Sequence, residues 1–139
     1  YKALEVERDG EQLFGSVQAT WNLMERSAEG GLKAAHEAGW GVIIKEAVAN
    51  GRLTPHNPIP LLSETAAALG VTADAMAIAG VLARPWVDIV LSGAAQVDHL
   101  QANLRAMEVN WNDNLEEKLG SLIEPPEEYW RTRGNLDWN

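Results

Sequence analysis

Apolar residues at positions 1, 3, 4 and 6, followed by Gly10, have the pattern of a helix running into its glycine stop. No N-cap precedes them, so residues 1–10 read as the end of a helix whose start lies upstream, and the chain as a fragment. From Leu13 to Asn22, β-branched and aromatic residues reach strand density, which predicts a strand over 15–20. Apolar positions 32, 34, 35 and 38, closed by Gly39, predict a helix over 29–38. The apolar run from Trp40 to Lys45 fits a strand buried on both faces, the habit of a parallel sheet. A loop with Gly51, Pro55, Pro58 and Pro60 follows. Two helices come next: 60–69, ended by Gly70, and 73–84, with Thr72 as N-cap and Pro85 as stop. Residues 86–92 form another buried strand, Gly93 to Ala95 a turn of small residues, and 96–107 a helix. A further helix over 113–122 leads to a Pro125-Pro126 break and an aromatic tail, 129–139.

Strand and helix alternating in this way predict right-handed crossovers and a parallel sheet, an α/β fold. Three strands alone would leave two apolar edges open to water and to other chains. Either those edges are covered or the sheet belongs to something larger. The start within a helix favours the larger assembly.

Composition narrows the partners. A net charge of −9 argues against nucleic acid or an anionic membrane surface, while leaving room for a local pocket that holds one small anion. The absence of cysteine excludes a disulfide scaffold and a thiolate-ligated zinc. No apolar run approaches the ~20 residues that span a bilayer, and no basic segment precedes an apolar stretch at the start. The expected location is cytoplasmic. His36 sits in a predicted helix and His56 in the proline-rich loop, without the spacing of a metal site.

Chemistry in parallel α/β folds gathers at the C-terminal ends of the strands. At the first end, Gln18, Trp21 and Asn22 leave the strand together. They read either as a platform for a flat heterocycle or as a core tryptophan beside a turn-capping asparagine. At the second, Lys45 and Glu46 read as a solvated rim pair, with neither paired carboxylates nor a histidine to suggest an acid–base dyad. At the third, Ser92, Gly93, Ala94 and Ala95 run straight into a helix, where small residues and a helix N-terminus suit an anion. A plain tight turn explains the same residues. Gln96, His99 and Asn103 share one helical face, a pattern that more often marks a simply solvated face, but this one overlooks the third strand end.

Taken together, Phe14 to Glu25 and Gly41 to Thr54 resemble the sixth and seventh βα units of the aldo-keto reductases. Pro85 to Leu104 resembles the eighth strand and its cofactor helix. The resemblance implies the C-terminal half of a (β/α)8 TIM-type barrel: three parallel strands with flanking helices, plus an extra C-terminal helix. Residues 1–10 would end the preceding helix, 15–108 would form the three βα units, and 113–139 the C-terminal helix and tail. It implies NADP(H), with NAD(H) also admitted, and an oxidoreductase that reduces aldehydes or ketones by hydride transfer without metal.

Carried over by position, Gln18 matches the glutamine that hydrogen-bonds the nicotinamide amide. Lys45 falls where many members have a ring-facing tyrosine. Glu46, Val48 and Gly51 lie in the loop that crosses the pyrophosphate. Gly93 and Ala94 occupy the turn that meets the adenosine 2′-phosphate, and Asn103 matches the asparagine that contacts adenine. His99 stands where an arginine often holds the 2′-phosphate, and Ala102 where a glutamate often stands. The family's catalytic Asp, Tyr, Lys and His come from the first half of the barrel, so none is expected here, and Lys45 is not that lysine. This segment alone is therefore expected to be inactive, and to need the missing N-terminal half-barrel or a second chain. The rival readings are a non-catalytic nicotinamide-sensing regulatory protein of the same fold and a half-barrel that serves only as an interaction module.

Overall fold

Val17, Ala19, Val42, Ile44 and Val90 turn to one side of a parallel sheet, and the helices pack on that side. In the computed structural model, which describes residues 2–136, the sheet has the order β3 (Ser16–Thr20), β4 (Gly41–Lys45), β5 (Ile89–Val90). Ser16 pairs with Gly41, Thr20 with Lys45 and Ile43 with Ile89. Helix α1 (Glu29–Glu37) joins β3 to β4, while α2 (Pro60–Ala68) and α3 (Ala73–Leu82) join β4 to β5. Helix α4 (Val97–Leu104) follows β5, then α5 (Asp113–Gly120) and α6 (Pro126–Gly134).

Helix α3 lies at the centre. Its sequence is almost wholly apolar and mostly small, and every residue from Ala75 to Val81 is buried. One side joins Leu32, Trp40 and Val42 in the core beneath the sheet. The other meets Leu62 of α2, Leu119 of α5 and Tyr129 of α6. Small residues allow this close approach. A Cβ on Gly80 would lie 2.6 Å from Leu23 Cδ2 and 2.7 Å from the Trp111 ring.

An ion cluster fixes α5 to this frame. Glu116 accepts from Arg26, Arg84 and the Trp111 indole. Burial alone would raise the Glu116 pKa, but these donors overcome it and hold the carboxyl at about 2. Arg26 and Arg84 also lie over the Trp21 ring, 5.2 and 5.3 Å from its centroid.

The opposite sheet face is open except at the end of β3, where Thr20 is buried. Gln18 is exposed, and Ile89 keeps 51% of its surface accessible. The outer face of α4 and the following turn is likewise apolar and open, with Val97 70% and Met107 72% exposed beside Leu100 and Leu104. Among the described residues, no single helix is long and apolar enough to cross a membrane.

Several expectations need correction. The helix expected to end at Gly10 is a 3₁₀ turn, Lys2–Glu5, followed by an antiparallel hairpin of β1 (Glu7–Arg8) and β2 (Glu11–Gln12). Tyr1 lies outside the described residues. Asp9 and Gly10 both take positive φ, 56° and 84°, as a two-residue hairpin turn requires. The strand expected over 86–92 is reduced to Ile89–Val90, because β4 is its one partner and its other face is open. Nor is β4 buried on both faces, since Ile43 is only half-buried. The helix expected over 96–107 ends at Leu104 and continues as a 3₁₀ turn, Arg105–Glu108. The tail carries a second C-terminal helix, α6, with Pro126 at its first position, where a missing N–H costs nothing. Residues 137–139 of that tail lie outside the described residues.

Candidate functional site

Beyond Lys45 the backbone enters the left-handed region, with φ of 55° at Glu46, 50° at Ala49, 52° at Asn50 and 86° at Gly51. Non-glycine residues there cost on the order of 1–3 kcal/mol each, so the surroundings must hold the loop in place. They do so from two directions. Asn22 Nδ2 donates to the Glu46 carbonyl and to the Tyr129 hydroxyl oxygen, each at 3.0 Å. From α6, Arg133 forks onto both Glu46 carboxylate oxygens at 3.1 Å. This pairing raises the Arg133 pKa, while burial is the main cause that raises the Tyr129 pKa. Arg52 forks onto Glu124, and the Gly51 carbonyl accepts from Thr54 and Asn57.

Asn22 also closes its own turn. Its Oδ1 accepts from the backbone N–H of Met24 and Glu25, at 2.9 and 3.0 Å. Trp21 is fully buried and meets Trp86 edge-to-face at 5.5 Å. The reading that stands is therefore a core tryptophan and a turn-capping asparagine; Trp21 offers no platform for a heterocycle.

Helices α3 and α4 run back against the strands, so both begin near the strand ends. Thr72 and Gln96 take extended N-cap backbones, yet neither side chain caps its helix. Those first-turn N–H groups are the kind of donor that an anion meets. Between these helix starts and the loop after β4 lies a cleft of about 320 Å³. Val48, Gly93, Ala94, His99 and Asn103 all line it, so the structure brings these predicted residues together. Asn103 is only 7% exposed; its Nδ2 donates to the Ser92 carbonyl at 3.4 Å, and its Oδ1 has no partner. A buried acceptor left empty costs roughly 1–3 kcal/mol, which a ligand donor would recover.

The other predicted residues lie elsewhere. Gln18 and Lys45 share the uncovered sheet face, because Thr20 pairs with Lys45 and Gln18 stands two residues earlier. Lys45 is half-buried, and its side chain makes no hydrogen bond or ion pair among the described residues. Glu46 is held by Arg133, and Gly51 serves the turn; neither lines the cleft.

Among the lining residues not anticipated, two are titratable. His56, from the proline-rich loop, brings its ring edge-to-face with His99 at 6.3 Å. Asp74, in the first turn of α3, points a buried Oδ1 without a partner. An aspartate after an N-cap reads as a helix-dipole complement, and a histidine between prolines reads as loop, so neither announced itself. Among the described residues, no group of three or more His, Asp or Glu side chains is placed to hold a metal ion. A larger depression of about 530 Å³, between α2 and the 108–118 segment, contains no strand end.

A family model described as the aldo/keto reductase family matches residues 2–123. Among solved structures, the chain is similar to the thermostable aldo-keto reductase Tm1743, determined with the inhibitor epalrestat. The TM-score is 0.64 at 27% identity, over 76% of this chain and 38% of that one. It is also similar to the apo form of aldo-keto reductase AKR11C1 from Bacillus halodurans. There the TM-score is again 0.64, at 22% identity, over 79% of this chain and 44% of that one, a likeness of fold alone. No curated protein matches the sequence. The chain spans 38% and 44% of the lengths of these two structures, well under half of each.

Proposed function

Because the chain belongs to the aldo/keto reductase family, we propose that it forms the dinucleotide-binding part of an oxidoreductase that reduces an aldehyde or ketone. Its three strands are then part of a (β/α)8 barrel. The uncovered sheet face and the apolar outer face of α4 support this, since both are surfaces that further strands and helices would cover. The rest of that barrel would bring the Asp, Tyr, Lys and His that handle the proton; no residue here is assigned that role.

One observation carries the reading: Asn103 Oδ1 is buried and unpartnered in a cleft bordered by two uncapped helix starts. These residues fit a nicotinamide dinucleotide. Asn103 Oδ1 would accept from the adenine amine, and the first-turn N–H groups of α4 would meet phosphate oxygens. Gly93 and Ala94 leave room for that approach, and Val48 offers an apolar wall. On the sheet face, Gln18 would donate to the nicotinamide carboxamide while Lys45 faces the ring. The bound cofactor supplies the hydride. The resemblance implies NADP(H), with NAD(H) as the other form, and the charges lining the cleft bear on which is chosen.

The test is turnover by the intact protein carrying this chain, followed as loss of reduced-nicotinamide absorbance over a panel of aldehydes and ketones. Carbonyl-dependent oxidation is expected. Tight dinucleotide binding with no turnover on any carbonyl would reject the reductase and favour a nicotinamide-sensing protein.

A further inference from the structure

We infer that Asp74 sets the choice of dinucleotide, favouring an adenosine ribose with a free 2′-hydroxyl, as in NAD(H), over the 2′-phosphate of NADP(H). The inference rests on the proposed dinucleotide site. Asp74 lies in the first turn of α3, half-buried, and shares the cleft with Asn103 and His99. Its Oδ1 is buried and has no partner. An ionised carboxylate only accepts hydrogen bonds, so a complementary ligand must bring donors. The hydroxyls of an unphosphorylated ribose are such donors; a phosphate brings acceptors and negative charge instead.

The electrostatic balance points the same way. Among the described residues, no lysine or arginine lines this cleft. The basic side chains that do line it are the imidazoles of His56 and His99, which are not permanent cations as a guanidinium is. Two helix N-termini contribute roughly half a positive charge each. Asp74 in the first turn of α3 and Asp98 in the first turn of α4 offset both. Among the described residues, nothing permanent and positive therefore lines this cleft, while the Asp74 carboxylate does. Two like charges in a partly desolvated cleft repel far more strongly than in bulk water.

The experiment is a fluorescence titration of the intact protein with NAD+ and with NADP+, in wild type, Asp74→Asn and Asp74→Ser. The serine variant keeps a helix-start side chain should the amide fold poorly. Wild type should bind NAD+ more tightly. Each variant should raise NADP+ affinity relative to NAD+ on the order of tenfold, a shift of about 1.4 kcal/mol. A wild type that prefers NADP+, or an unchanged ratio in both variants while both dinucleotides bind, overturns the inference and leaves the site standing. Failure of wild type to bind either dinucleotide overturns the site and the inference together.

Discussion

The imidazole rings of His56 and His99 meet edge-to-face at 6.3 Å, one carried by the loop after β4 and the other by the first turn of α4. Both line the same cleft, so an anion beside one ring is within reach of the other. Among the described residues, Asp74 on α3 also lines the cleft, Asp98 lies in the first turn of α4, and Arg52, paired with Glu124, borders an adjoining depression together with His56.

Either ring can donate a hydrogen bond to a phosphate oxygen. His56→Ala and His99→Ala should therefore weaken NADP(H) binding, and NAD(H), which lacks the 2′-phosphate, should change little. A hydrogen bond to a charged group, worth roughly 1.5–3 kcal/mol, sets the ceiling. Titrations of both dinucleotides in wild type and the two variants measure it. An NADP(H) affinity unaltered in both variants would show that neither histidine faces the phosphate.

Gly80 should resist substitution. Alanine gains about 1 kcal/mol in helix propensity, but its Cβ would collide with Leu23 and the rigid Trp111 ring. Overpacking costs about 1–3 kcal/mol, so Gly80→Ala should lower the thermal midpoint of the intact protein. A higher midpoint would contradict the packing of Trp111 on α3.

Glu116 should make the fold acid-sensitive. Its folded pKa of about 2 lies below the ordinary 4.5. The stabilisation is therefore complete above about 4.5 and is lost as pH falls towards 2. Glu116→Gln should destabilise at pH 7 by roughly 1.5–3 kcal/mol, the range for hydrogen bonds to charged groups. The gap from wild type should shrink between pH 4.5 and pH 2. A gap constant across that window would remove Glu116 from the acid response.

Expressed alone, the 139 residues should not behave as a closed domain. Ile89, Leu91, Val97 and Met107 are exposed on two apolar faces, which should bind a hydrophobic dye and drive self-association. No carbonyl reduction should accompany it. A monodisperse monomer with cooperative unfolding, seen by analytical ultracentrifugation and calorimetry, would contradict the part-barrel reading.

The strand–helix alternation was legible because apolar periodicity and Gly or Pro stops are local signals, and the alternation in turn implied a parallel sheet. Two local signals were present and outweighed. Asp9-Gly10 is a hairpin turn pair, but the apolar spacing ahead of it favoured a helix. Pro125-Pro126 looked like a break, although a proline at the first helical position starts α6. The shortening of β5 could not be read from its residues, since an apolar run does not say whether its second face is covered. The same limit applies in the cleft. Val48, Gly93, Ala94, His99 and Asn103 were found through motif resemblance, whereas His56 and Asp74 enter through tertiary packing that no spacing encodes. Glu46 follows β4, as its place after Lys45 implied, but its partner Arg133 comes from a helix that was not anticipated.

On the proposed function, the cleft beside Asn103 receives the adenosine end of a nicotinamide dinucleotide. A crystal structure of the intact protein grown with NAD+ tests it most directly, through the distance from Asn103 Oδ1 to the nearest ligand atom. An adenine nitrogen is expected at about 3 Å, within ordinary hydrogen-bond range, with the ribose hydroxyls on Asp74. A dinucleotide bound elsewhere, with Asn103 Oδ1 still lacking a partner, would contradict it.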